Sequence, residues 1–99
     1  MNDLTRKITP EEQYYCDKAR DEGIPAYMVG GLVLYIVHKK KPGDFLCAVL
    51  RNDLRAAFER ADAMNFLIVG RYVKFLYNSA PANCWGSEEN FKRWIGEQE

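Results

Sequence analysis

Histidine is nearly absent from this chain, and that limits the chemistry it can carry. His38 is the only one among 99 residues, and the three cysteines, Cys16, Cys47 and Cys84, are odd in number, widely spaced and form no CxxC pair. A structural zinc would have to gather all four remote side chains, and a thiolate–imidazole dyad would have to be built around His38. Neither is expected. The cysteines read as small apolar groups, His38 as a helix-end or surface residue, and no metal or other cofactor is expected. Walker, dinucleotide-binding, HExxH and EF-hand patterns are missing too, so the chain reads as non-enzymatic. Net charge is also missing, because fourteen basic residues face fourteen acidic ones. That excludes a generally basic nucleic-acid coat and makes nucleic acid an unlikely partner. Long apolar runs are lacking as well. The longest uncharged stretch, Ile24 to His38, has fifteen residues and contains Pro25, Gly30 and Gly31. As a helix it would reach about 22 Å, short of the roughly 30 Å hydrocarbon core of a membrane. The opening Met1-Asn2-Asp3-Leu4 has no apolar signal region, so a cytoplasmic protein that does not enter the membrane is expected.

What is present describes one globular domain. The chain is 47% hydrophobic, 13% aromatic and 28% charged, with no repeat or low-complexity tract. The expected fold is an all-α bundle of about five helices in a single domain spanning 1–99, with 1–8 and 96–99 frayed. Thr9-Pro10-Glu11-Glu12 is the strongest local signal: a cap, a proline at the first helical position and a capping-box glutamate. That helix should run to Glu22 and stop at Gly23. Residues 25–40 admit a hairpin around Gly30-Gly31, but an isolated two-stranded hairpin is marginal. A helix placing Met28, Leu32, Tyr35 and Ile36 on one face is preferred. Asp44 is expected to cap a helix over 45–51 with Phe45, Leu46, Val49 and Leu50 inward. Asp53 should cap 54–61, whose inward stripe would be Leu54, Phe58 and Ala61; whether Asn52 breaks or dents this stretch stays open. Asp62 should cap a long helix over 63–78 with Phe66, Val69, Gly70, Val73, Leu76 and Tyr77 inward. This helix and 25–40 should form the central packing pair. Ser87 should cap a last helix over 88–95.

Charge is unevenly distributed. Residues 25–80 hold eight basic and four acidic residues, a net of +4, while 1–24 and 81–99 are each at −2. Arg51 and Arg55 are one helical turn apart, a repulsion worth a few tenths of a kcal/mol unless something anionic answers it. With Arg71 and Lys74 they form the candidate contact set for an acidic protein surface or a phosphorylated ligand. The alternative is internal neutralisation by Glu59, Asp62 and the acidic ends. Six tyrosines and two tryptophans are many for 99 residues, and Tyr72, Tyr77 and Trp85 are the candidate aromatic contacts. The nearly all-apolar segment 25–40 carries more hydrophobic surface than one small core is expected to absorb, so a homodimer is expected.

A set of short motifs adds a resemblance. Pro42-Gly43-Asp44-Phe45-Leu46, Ala48-Val49-Leu50, Asn52-Asp53-Leu54, Leu76-Tyr77-Asn78, Ala80-Pro81 and Cys84-Trp85-Gly86-Ser87 resemble small helical accessory proteins of tailed bacteriophages and prophages. The resemblance covers roughly 30–95. The turn His38-Lys39-Lys40-Lys41-Pro42-Gly43 is more basic than in such proteins. The resemblance implies a helical accessory protein acting in the bacterial host cytoplasm, by binding a host protein to counter defence or by sequestering a nucleotide signal. It implies no catalytic mechanism.

Overall fold

The computed structural model describes residues 7–96, so most of the expected fraying at 1–8 and 96–99 lies outside the described residues. Thr9 opens helix α1 (Pro10–Asp21) through the full capping box. The Glu12 amide donates to the Thr9 hydroxyl oxygen at 3.1 Å, and the Thr9 amide donates to Glu12 Oε1 at 2.8 Å. Gly23 then takes φ +83°, the left-handed turn that suits a residue without Cβ. Ala19 faces the core, Tyr15 is half-buried, and Tyr14 is exposed.

The stretch around Gly30-Gly31 is helical, not a hairpin: α2 spans Ala26–His38. It buries Val29, Leu32, Val33, Tyr35 and Ile36. A Cβ added at Gly31 would lie 3.4 Å from Leu46 Cδ1, so the Leu46 side chain packs closely against the helix there. Gly30 faces open space. The domain absorbs most of this apolar helix; Tyr27 and Leu34 are its large side chains left exposed.

The third helix, α3 (Asp44–Leu50), is the centre of the molecule. Every residue from Phe45 to Leu50 is buried, as expected for a helix that is apolar all round. Gly43 occupies its N-cap, so Asp44 is the first helical residue and not the predicted cap. Asn52 settles the open question by breaking the helix: its φ of +64° is left-handed. Asp53 then caps α4 (Leu54–Arg60), accepting from the Ala56 amide at 3.1 Å. Ala57 is the buried residue of α4; Leu54 is exposed, contrary to the predicted inward stripe. Asn52→Ala is expected to cost about 1–2 kcal/mol, because a Cβ without a polar head disfavours the left-handed region. Asn52→Gly should leave stability within a few tenths, and chemical denaturation of the two variants checks the contrast.

The predicted helix over 63–78 is two helices. Asp62 caps α5 (Ala63–Leu67), and Ile68, at φ −125°, ends it before α6 (Val69–Ser79) begins. The buried face lies one residue earlier than predicted on both sides of the break, beginning with Asn65 and Ile68. Val69, Tyr72, Phe75 and Leu76 become the buried face of α6, whereas Phe66, Val73 and Tyr77, all predicted inward, are exposed. A short 3-10 turn (Ala82–Cys84) leads to α7 (Glu88–Ile95), which Ser87 caps by accepting from the Asn90 amide at 3.0 Å.

Seven α-helices therefore stand among the described residues, where about five were expected, and there is no strand among them. The two additional ends come from Asn52 and Ile68. The central pair also differs from expectation. The closest packing is α3 on α4 and α1 on α2, with α3 also touching α6 and α7. The Tyr35 hydroxyl donates to the Cys84 carbonyl at 2.6 Å, and Trp94 Nε1 donates to the Tyr35 carbonyl at 2.9 Å, tying α2 to the C-terminal segment. Lys39, left-handed at the end of α2, lies 3.7 Å over the Trp94 ring. No helix among the described residues is long and apolar enough to cross a membrane.

Candidate functional site

The basic residues singled out from the sequence do not form one patch. Arg51, half-buried, lies 3.3 Å from Glu88 Oε1 and stands over the Phe91 ring. Arg55 is almost fully solvated and pairs with Glu59 one turn on, at 3.3 Å. Arg71 Nη1 donates to the Gly23 carbonyl at 3.0 Å, and Lys74 lies 4.0 Å from Glu22. Those two cations converge, but on the C-terminal end of α1, where they complement its dipole. Each of the four thus has an acceptor within the domain. Arg55→Ala is expected to cost no more than a few tenths of a kcal/mol, as for other exposed helical pairs, and a shift in melting temperature measures it.

The aromatic candidates separate in the same way. Tyr72 is sealed in the core, its hydroxyl donating to Asn65 Oδ1 at 2.5 Å, and so it cannot meet a partner from the surface as expected. Tyr77 is 79% exposed. Trp85 is half-buried, its carbonyl accepting from Asn90 Nδ2 at 2.9 Å.

Cys84 is fully buried, and burial pushes its thiol up to about 12, which leaves it unreactive at neutral pH. Cys47 is buried and donates to the Pro42 carbonyl at 3.3 Å. His38 Nε2 meets the buried Glu12 carboxylate at 2.6 Å, so its use is to join α2 to the start of α1. Among the described residues, no three His, Cys, Asp or Glu side chains come together as a metal-binding group.

Three surface features do come together. The first is a cleft of about 340 Å³ where the start of α2, the Pro42-Gly43 turn and the α4–α5 junction meet. Met28, Phe45 and Leu46 give it an apolar floor, and Tyr27, Asp44, Arg60 and Asp62 supply the polar groups. The Tyr27 hydroxyl donates to Asp62 Oδ2 at 2.7 Å, and the Asn65 amide donates to Asp62 Oδ1 at 2.8 Å. These bonds, the amide's first, hold the Asp62 carboxyl below the usual carboxylate range, while the Asp62 carboxylate raises Tyr27. A depressed carboxylate stabilises the fold above its unfolded-state pKa and ceases to as pH falls through the folded-state value. The stability difference between wild type and Asp62→Asn is therefore expected at neutral pH and to vanish in acid, below the ordinary aspartate range; acid unfolding curves of both chains check it.

The second feature is a hollow of about 220 Å³ next to the cleft, lined by Lys41, Arg51 and Arg60 with Asp44 and Cys47. Asp44 and Arg60 line both cavities, and their ion pair, at 3.1 Å, stands between them. The third is an apolar strip across α4, α5 and α6. Leu54 and Val73 line one shallow depression, Leu54 and Phe58 are one turn apart on α4, and the Phe58 and Phe66 rings meet edge to face at 5.0 Å. Tyr77 continues the strip one turn beyond Val73. Leu54 and Phe66 are 63% and 51% exposed.

Sequence reasoning missed Tyr27, Arg60 and Asn65 as site residues. Only Asn65 left a trace: it is a polar residue between Met64 and Phe66, on what reads as an apolar face. The rest depends on a turn and a helix junction that bring distant segments together. Fold and surface together define a small all-helical domain with an apolar surface strip and a polar-edged double cavity. Comparison with protein-family models, with curated proteins and with solved structures gives no match.

Proposed function

We propose that this protein is a non-enzymatic accessory domain of phage or prophage origin that works by binding a protein of the bacterial host cell. The observation that carries the reading is the strip Tyr77–Val73–Leu54–Phe58–Phe66. Isolated exposed apolar side chains are ordinary, but a contiguous run over three short helices is the signature of an interaction surface. Its charge surroundings describe the partner. Arg55 stands beside Leu54 on α4 and Lys74 beside Val73 on α6, both largely solvated, so the complementary surface is an apolar centre with acidic side chains at its edge. The phage resemblance supplies the cellular setting, the bacterial cytoplasm.

The test is capture from bacterial lysate with the full chain, followed by affinity measurement on the recovered protein at two salt concentrations. The reading expects one stoichiometric partner whose affinity falls with salt and depends on the strip. Equal capture by a chain with a charged strip overturns it. Light scattering on the purified protein addresses the dimer: a mass twice 11.5 kDa, lost when the strip is charged, makes a second copy the strip's occupant and removes the host protein from it.

A further inference from the structure

The paired cavities are not used by the protein-binding strip, and their chemistry is different. The cleft is lined by the apolar side chains of Met28, Phe45 and Leu46, with Tyr27 a second aromatic ring among the lining residues. The adjoining hollow has three cationic side chains, Lys41, Arg51 and Arg60, against the single carboxylate of Asp44. An apolar cleft and a cationic hollow that share Asp44 and Arg60 as their common wall match one shape of ligand: a flat ring system joined to a phosphate. We propose that this double cavity binds a nucleoside phosphate, the base lying in the cleft over Met28 and Phe45 and the phosphate in the hollow among Lys41, Arg51 and Arg60.

The ion pairs of Arg51 and Arg60 do not stand in the way. Asp44 and Glu88, the carboxylates that meet Arg60 and Arg51, have side chains 80% and 59% exposed. Pairs so open to water contribute little, so a phosphate can take over the guanidinium groups while both carboxylates return to solvent. Guanidinium groups suit the task because their planar donors match phosphate oxygens two at a time. At the other end, Tyr27 and Asp62 place a hydroxyl and an ionised carboxylate at the cleft edge, where the exocyclic amino group of a purine can donate. Asp44 then acts as an internal competitor: it occupies Arg60 when the cavity is empty and repels a phosphate that approaches.

That competition gives the proposal its distinguishing test. Calorimetry on the full chain with AMP and GMP in turn, against adenosine, guanosine and inorganic phosphate, is paired with amide chemical-shift mapping. At least one nucleotide is expected to bind saturably and more tightly than its nucleoside or phosphate alone, with shifts at both Met28–Phe45 and Lys41–Arg51. Arg60→Gln should weaken it by about tenfold or more, the value of a lost charged hydrogen bond. Asp44→Asn should tighten it, because Arg60 is released and a repelling charge removed. Asp44 caps nothing and both residues are exposed, so neither variant threatens the fold. The proposal is overturned by no saturable binding of either nucleotide up to millimolar concentration. It is equally overturned by shifts confined to the hollow with phosphate binding as well as nucleotide, or by Asp44→Asn weakening binding as Arg60→Gln does.

Discussion

Leu54→Glu together with Phe66→Glu will abolish partner capture while the domain remains folded. Apolar anchors at the centre of an interface commonly cost 2 kcal/mol or more each when lost, so the pair is expected to lower affinity by about a thousandfold. Placing two carboxylates against an acidic-edged partner adds repulsion to the lost burial. Stability should change much less. Both side chains are more than half exposed in the free protein, and such positions usually tolerate substitution within about 0.5 kcal/mol. Glutamate is also as good a helix former as leucine. The one identifiable loss is the edge-to-face contact of Phe66 with Phe58, worth about 0.5–1.5 kcal/mol. Affinity by calorimetry and melting temperature on the same samples separate the two effects. A chain that still melts cooperatively but binds undiminished would falsify the assignment of the strip.

Tyr72 should show the opposite pattern. It has no exposed surface, its ring meets Phe45 edge to face at 5.2 Å, and its hydroxyl donates to the buried Asn65 side chain. Tyr72→Ala is expected to destabilise by about 3–5 kcal/mol, the usual cost of emptying an aromatic site in a packed core. Against a total stability of about 5–15 kcal/mol for a domain of this size, that leaves a marginal fold. Tyr72→Phe keeps the packing but takes the donor from Asn65 Oδ1, and is expected to cost about 1–3 kcal/mol. Urea unfolding orders the series wild type, Phe, Ala. Any loss of partner binding should track the unfolded fraction and disappear at low temperature; binding lost by fully folded Tyr72→Phe would return Tyr72 to the interface.

The strip and Tyr72 also show how far the sequence reaches. Helix starts were legible because caps are local: Thr9 with Glu12, Asp53, Asp62 and Ser87 each satisfy an amide three residues on, within reach of one side chain. The helical class was legible for a similar reason, since apolar spacing and the absence of a second hairpin are read within one segment. The phase of α6 was not legible. A 3.6-residue pattern carried unbroken from 63 to 78 puts Phe66, Val73 and Tyr77 inward, and neither proline nor glycine stands at Ile68 to signal otherwise. The core takes the neighbouring stripe, Asn65, Ile68, Val69, Tyr72, Phe75 and Leu76, and the strip is left outside.

By itself, then, the sequence determined the all-helical class, the capped helix starts and the turn at Gly23. The tertiary structure alone decided which face of each helix is buried, that α3 is the hub, and that Arg60, Asp44 and Tyr27 meet around one double cavity. The physical reason is range. A cap or a left-handed turn is fixed by bonds spanning a few residues, whereas burial and the convergence of charges depend on how all the elements share one limited core. Even the fate of Arg51 and Arg55, neighbours on paper, was set this way: the left-handed Asn52 between them sends one to Glu88 on α7 and leaves the other with Glu59 in solvent.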